Sequence, residues 1–398
     1  KEKTAYEIDS EQFNKKVPHM IRNPNMMQGL VTQIREFVQD VAIPNEDRVE
    51  AEDRISDDVI AKLRELGSFG WSIPKAYGGL GLTSEELAIA FIEFTQCSVA
   101  FRVYGGQNAG IGSECIIRDG TDAQKQHYLP RLATGELIGC LALTEISAGS
   151  DATALQTWAE KIDGGYRLNG PKRYITLAPI ADLYTVLART SGERGAKGVT
   201  AFLIERGADG MTPSGSTPKM GQEGAPIGEI TFEDVFVPDD AVLGGVEGMG
   251  FRSVMKALNK QRINLSALST GPAIRMLDDA IAFAKQRRQF DKAIGEFQLI
   301  QAMLAECKVE IEAARALILE TARKRDRGED VTLEVSLCKY YSTEMCGRVA
   351  DKVVQVFGGE GYVKGTGIER FYRDVRAFRI YEGTSQIHLL NIAKNLLK

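Results

Sequence analysis

The spacing of hydrophobic positions changes twice along the chain. From residue 27 to about 133, apolar residues recur three and four positions apart, as in "MMQGLVTQIREFVQDVAIP" and "SDDVIAKLRELGSFGW", which is the period of one helix face. Ser56 with Asp57 and Asp58 reads as an N-cap and acidic first turn, and Gly67 as a stop. Thr83 and Glu86 have capping-box spacing. "IPKAYGGLG" is a loop, and "DAQKQHYLPRLATGE" a helix that ends at Gly135. Residues 1–25 are polar and weakly patterned, an extension lying on the surface.

From about 137 to 245 the period shortens. "LIGCLALTE", "KRYITL", "DLYTVLART", "GVTAFLIE" and "EITFEDVFVP" are β-branched and aromatic runs divided by Gly, Pro and Asp. "KIDGGYRLNG" carries an Asp-Gly hairpin signal. From about 247 the helical period returns in three long segments that should pack antiparallel. The expected fold is α+β, mostly α. An extension (1–25) precedes an N-terminal helical domain (26–136), a middle antiparallel β domain (137–246) and a C-terminal four-helix bundle (247–398).

A length of 398 residues suits two or three domains, and 43% hydrophobic with 26% charged residues is ordinary for a globular protein. The net charge of −5 argues against nucleic acid or an anionic membrane as partner. Cys97, Cys115, Cys140, Cys307, Cys338 and Cys346 form no CxxC pair, and three histidines lack ligand spacing, so no metal site is expected. No apolar run is long enough to span a membrane.

Several stretches could carry chemistry. "CLALTEISAGSD" is a strand that breaks into a loop of small hydroxyl residues, open to a heterocycle or phosphate; a plain Ser/Gly turn has the same composition. "QRRQF" pairs arginines, which match phosphate oxygens, with an aromatic; a basic helix end looks the same. "QVFGGEGY" is a helix end whose double glycine admits a close neighbour, and a simple C-cap reads identically. "RIYEGTSQIH" places a lone acid, Glu382, before the last amphipathic helix. There is no GxGxxG in a βαβ unit and no Walker loop, so a phosphate ligand is not held in either of those ways.

Taken together, "TEISAGSD", "YIT", "RRQF", "QVFGG" and "YEGTSQI", in this order and spacing, resemble the acyl-CoA dehydrogenase family of flavoproteins. The likeness runs from about residue 27 to 398 and includes "IPKAYGGLGL". The resemblance implies FAD held between the β domain and the bundle. It places Leu143, Thr144, Tyr174 and Thr176 at the flavin ring, and Ser150 beside cofactor and coenzyme A. Arg287, Phe290, Gln298, Gln355, Gly358 and Gly359 match positions that hold the adenosine diphosphate half across a subunit interface, and Thr384 and Gln386 further FAD contacts. Such sharing implies a homodimer or homotetramer. Glu382 matches the base that removes the α-proton while the flavin accepts the β-hydride. Tyr381 and Gly383 flank it, Gly383 leaving room for the thioester; Asn259 and Arg262 match substrate-side positions.

The resemblance also frames the departures. Gln261 stands where some members carry the base and cannot serve as one, which favours straight-chain over isovaleryl-type substrates. Tyr174 replaces a usual Trp, "LAP" (177–179) a usual Asn-Gly, and Asp291 a usual Gly. "GQEGAPIGE" lacks an arginine and hydroxyls usual in that loop. Arg102 aligns with the arginine that glutaryl-CoA dehydrogenases use for a terminal carboxylate, so the acyl group is expected to carry a distal anion. The competing reading turns Arg102 outward to pair with Glu93 or Asp119. The accompanying serine is Gly106 here, and Gly105 with Gly106 are expected to widen the acyl cavity. The expected electron acceptor is electron-transfer flavoprotein. The expected location is the bacterial cytoplasm, or the mitochondrial matrix in a eukaryote. A flavin oxidase or monooxygenase on the same fold, or a silent scaffold, are the alternatives.

Overall fold

The computed structural model describes residues 21–193 and 195–398. Most of the expected N-terminal extension therefore lies outside the described residues. Helix α1 (Pro24–Glu36) starts with Pro24 at its first position and Asn23 Oδ1 accepting from the Met26 amide at 3.0 Å. It runs through a π-turn at Phe37–Ala42 into α2 (Ile43–Glu52). Helix α3 (Asp57–Glu65) is followed by Gly67 in the left-handed region. Thr83 and Glu86 close a capping box on α4 (Ser84–Phe94). Helices α5 (Val99–Gly105), α6 (Ile111–Asp119) and α7 (Asp122–Thr134) complete this block, with Gly135 at φ 72° ending α7.

Seven strands follow: β1 (Gly139–Ala142), β2 (Trp158–Ile162), β3 (Gly165–Thr176), β4 (Leu183–Arg189), β5 (Val199–Glu205), β6 (Met211–Pro213) and β7 (Ile227–Pro238). They form one sheet in the order β1-β4-β2-β3-β7-β6, with β5 also on β4. The β2–β3 hairpin turns at Asp163-Gly164, as the Asp-Gly signal predicts. The sheet is mostly antiparallel, but β1 runs parallel to β4 and β2 touches β4 in parallel at one pair. Local patterning does not reveal these pairings, because β1 and β4 meet only after the intervening hairpin has folded back. The ladder between β3 and β7 is bulged between Lys172 and Ile175. There Tyr174 takes φ 58°, with Leu177 at φ 61° just beyond.

Helix α8 (Gly250–Gln286) leads to a small hairpin, β8 (Arg288–Gln289) and β9 (Lys292–Ala293). Helices α9 (Gln298–Asp326) and α10 (Thr332–Phe357) come next, then α11 (Gly359–Tyr362), α12 (Ile368–Val375) and α13 (Ser385–Leu396). "RRQF" is therefore not a basic final helix turn: α8 stops at Gln286, and these residues form the hairpin, whose tip holds Phe290 at φ 51° and Asp291 at φ 64°.

The two helical blocks share one apolar core running from Met27 to Phe378. A second core fills the β domain. A third packs α6 and α7 against the sheet and the first turns of α8. The blocks are also tied by Arg370 of α12, which reaches Glu46 at 3.1 Å and Asp47 at 2.9 Å on α2. Among the described residues no helix is long and apolar enough to cross a membrane.

Candidate active site

A cavity of about 450 Å³ opens where the three cores meet. Its walls come from α5, the head of α6, β1 with its following loop, the end of β3, the first half of α8, residues 381–383 and α13. Arg102, Leu143, Thr144, Ser150, Tyr174, Thr176, Arg262, Tyr381, Glu382 and Gly383 all line it. Residues far apart in sequence and singled out by motif thus converge on one space.

Glu382 lines the cavity with a strongly perturbed carboxyl. It sits at φ 55°, a region a non-glycine residue adopts only under constraint. Its Oε2 is buried without a hydrogen-bond partner. Burial pushes its pKa up to about 7, although Arg102, Gln261, Lys339 and Arg262 all pull the other way. Burial likewise drives the adjacent Tyr381 hydroxyl well above its usual range. Among the described residues, the amide N–H groups of Glu382 and Gly383 meet no acceptor within the chain.

The turn is held from below. The Glu382 carbonyl faces Arg262 Nε at 3.3 Å and His388 Nε2 at 3.2 Å, and the Gly383 carbonyl accepts from Lys339 Nζ at 2.7 Å. Burial and the neighbouring Arg262 and Lys339 push the His388 pKa down to about 3, so the ring is neutral. Gly383 has φ 94°, and a Cβ there would lie 3.0 Å from His388 Nε2. The imidazole lies on the Cβ side of Gly383, which also lines the cavity.

Arg102 points inward. It is 5% exposed, its guanidinium carbon lies 4.8 Å from the Phe91 ring centre, and its Nε and Nη2 have no hydrogen-bond partner. Burial lowers its pKa while the charge of Glu382 raises it. The outward reading fails because Glu93 is taken by Arg35 at 2.8 Å and the α5 face that carries Arg102 is buried. Gly105 and Gly106 do not widen the cavity. A Cβ on Gly105 would lie 2.8 Å from Leu63, and one on Gly106 would lie 3.0 Å from Phe91 and 3.3 Å from Arg102 Nε. These glycines let α5 pack and leave room for the arginine itself.

Gln261 lines the cavity and favours the charged form of Glu382; its Oε1 accepts from Asn264 at 3.2 Å, and a Cβ on Gly110 would lie 2.4 Å from that oxygen. Asn259 is not in the wall; it accepts from Arg262 Nη1 at 3.0 Å and so aims that arginine. On the opposite wall, Tyr174 is 57% exposed under the Arg173 guanidinium, 4.9 Å from its ring centre. Among the described residues, the hydroxyls of Thr144, Ser150 and Thr176 bond nothing within the chain. This free polar edge, beside an exposed ring, is the kind of surface a flavin needs, and the residues present fit FAD.

Eight of the predicted cofactor residues lie outside this cavity wall. Arg287, Phe290, Gln298, Gln355, Gly358 and Gly359 are exposed at one end of the bundle, where Phe283 stacks on Phe357 at 4.2 Å. Phe290 is 87% exposed, and a Cβ on Gly358 or Gly359 would meet open space. Thr384 accepts from the Ile387 amide as the N-cap of α13, and Gln386 is exposed on its first turn. Sequence reasoning missed Lys339 and His388. The available signal was a lysine on the buried stripe of α10 with Val335, Cys338 and Ser342.

Three family profiles match the chain: "Acyl-CoA dehydrogenase, N-terminal domain" over 27–136, "middle domain" over 140–235 and "C-terminal domain" over 248–397. The chain is 37% identical to the "Caffeyl-CoA reductase-Etf complex subunit CarC" of Acetobacterium woodii, over 88% of this chain and 93% of that one. It is 35% identical to an "Acyl-CoA dehydrogenase" of Bacillus subtilis, over 95% and 99%. A solved glutaryl-coenzyme A dehydrogenase in complex with glutaryl-CoA superimposes with a TM-score of 0.90 at 34% identity, over 94% and 96%.

Proposed function

The chain belongs to the acyl-CoA dehydrogenase family, and from that premise we propose that it dehydrogenates a short acyl-CoA bearing a distal anion, with Glu382 as base and Arg102 as the anion's receptor. One observation carries this: an unbonded buried carboxyl oxygen and an unbonded buried guanidinium share one cavity. When bound, FAD, the family's cofactor, supplies the acceptor for the β-hydrogen and its electron pair. Thr144, Thr176 and Tyr174 would hold its ring and Ser150 its junction with coenzyme A.

Glu382 takes the α-proton as the C–H bond breaks and the α,β double bond forms. With a pKa near 7 it is basic enough to accept that proton at neutral pH and can release it afterwards. The free N–H groups of Glu382 and Gly383 donate to the thioester oxygen and so acidify the α-carbon. Arg102 and Glu382 line the same cavity, so a carboxylate at the far end of the acyl chain would supply the partner that the Arg102 Nε and Nη2 lack. Where glutaryl-CoA dehydrogenases have a serine beside the arginine, this chain has Gly106, and Phe91 supports the guanidinium instead.

The exposed cluster around Arg287, Phe290 and Gly358 supports a cofactor completed by a second subunit, hence a homodimer or homotetramer. Electron-transfer flavoprotein is the proposed acceptor, in keeping with the Etf complex named for the Acetobacterium relative. That relative is a reductase, and a carboxyl near 7 serves equally as acid for the reverse reaction on a 2-enoyl thioester.

The test is anaerobic flavin bleaching with glutaryl-, butyryl-, octanoyl- and palmitoyl-CoA. Glutaryl-CoA should bleach fastest, Glu382→Gln should abolish bleaching, and Arg102→Ala should turn preference toward butyryl-CoA. An unchanged preference in Arg102→Ala removes the anion from the proposal. Rapid reoxidation by air with peroxide release would identify an oxidase instead.

A further inference from the structure

We infer that Lys339 is a positioning residue for Glu382: it clamps the left-handed turn through the Gly383 carbonyl and supplies the positive charge that favours the carboxylate. The inference rests on the assignment of Glu382 as base.

Lys339 lies in the first third of α10 and is 0% exposed. Its Nζ donates to the Gly383 carbonyl at 2.7 Å, and among the described residues no carboxylate lies within ion-pair distance of it. A buried ammonium with only a neutral partner is costly. Here burial lowers its pKa to about 8, and the charge of Glu382 is the strongest influence holding it up, ahead of Glu344. Glu344 is already engaged by Ser385 at 2.5 Å and Arg379 at 3.5 Å. Glu382 is thus the principal counter-charge of Lys339.

The turn itself needs external support. Glu382 at φ 55° and Gly383 at φ 94° form two successive left-handed positions. Three helices supply donors to their carbonyls: Arg262 from α8, Lys339 from α10 and neutral His388 from α13. The groups facing the Glu382 carboxyl are Arg102 from α5, Gln261 and Arg262 from α8, and Lys339, with Tyr381 beside it. Two cations remain when Lys339 is removed, so the carboxyl should move toward its protonated form without being trapped there.

The experiment compares kcat–pH profiles of FAD-loaded wild type, Lys339→Met and Lys339→Gln. The acid limb should move up by about one pH unit in both variants, giving about a tenfold deficit at pH 6 that closes by pH 9. Lys339→Gln, which keeps a donor for the Gly383 carbonyl, should retain the higher plateau. Profiles that superimpose on wild type after scaling would show support of the fold alone and overturn the inference. A stability cycle covers a poorly folding Met variant. The fall in Tm caused by Lys339→Gln should shrink or reverse in a Glu382→Gln background, because the lysine has then lost its counter-charge. An equal fall in both backgrounds overturns the inference. If Glu382→Gln keeps full turnover, the base assignment fails; if it is inactive while the Lys339 profiles stay put, only the Lys339 role fails.

Discussion

Removing the Lys172 ammonium should be among the most destabilising single changes in the β domain. Lys172 on β3 is fully buried and meets Glu145 Oε1 at 2.6 Å, where the carboxylate side chain is 2% exposed. The same carboxylate accepts from the Gln156 amide at 2.6 Å, the Thr157 amide at 3.0 Å and the Thr157 hydroxyl at 2.5 Å. Lys172 Nζ also reaches the Leu143 carbonyl at 3.2 Å. In Lys172→Met the side-chain volume is nearly kept, so packing changes little. What remains is a buried carboxylate without its cation and a carbonyl without its donor. Breaking one side of such a pair costs about 3–5 kcal/mol. At roughly 2 °C per kcal/mol for a large domain, Tm should fall by roughly 6–10 °C in calorimetry at pH 7. Leu143 and Thr144 form the cavity wall, so the variant should also retain less FAD after gel filtration. Adding Glu145→Gln removes the stranded charge and should restore part of the loss. A Tm within about 2 °C of wild type, or a double variant whose loss equals the sum of the singles, would refute this account of the pair.

Gly383→Ala forces a Cβ to within 3.0 Å of His388 Nε2 at φ 94°; it should cost about 1–3 kcal/mol and lower kcat more than it raises KM, and unchanged kcat and Tm would show the turn to be relaxed. Asp374 is buried on α12, and burial raises its pKa from 3.8 to about 7 while its Oδ1 accepts from the Gln222 amide. The folded-state value lies above the unfolded one, so its contribution is full below about pH 4 and is lost as pH rises through 7. Asp374→Asn should therefore raise Tm relative to wild type at pH 8.5 but not at pH 4, which scanning calorimetry across pH would check.

The α, β and α blocks were legible because helix period, capping boxes and turn glycines are local. Thr83 with Glu86, Gly135 and the Asp163-Gly164 turn stand where the sequence places them. The candidate site was legible through short motifs. The resemblance brought Thr144, Thr176, Arg262 and Glu382 to one cavity although the β domain and the bundle separate them in sequence. The group around Arg287 and Gly358 lies exposed at one end of the bundle, away from that cavity.

Sequence alone determined which stretches coil, which extend and which residues bear chemistry, since each depends on neighbours a few positions away. Only the tertiary structure decided that the two helical blocks share a core, that β1 runs parallel to β4, that Arg102 faces inward, and that Lys339 and His388 support the turn carrying Glu382. A hydrophobic period says which face is covered but not by what. The direction of a buried charge, and the proton affinity that follows from it, depend on partners brought close by packing rather than by the chain.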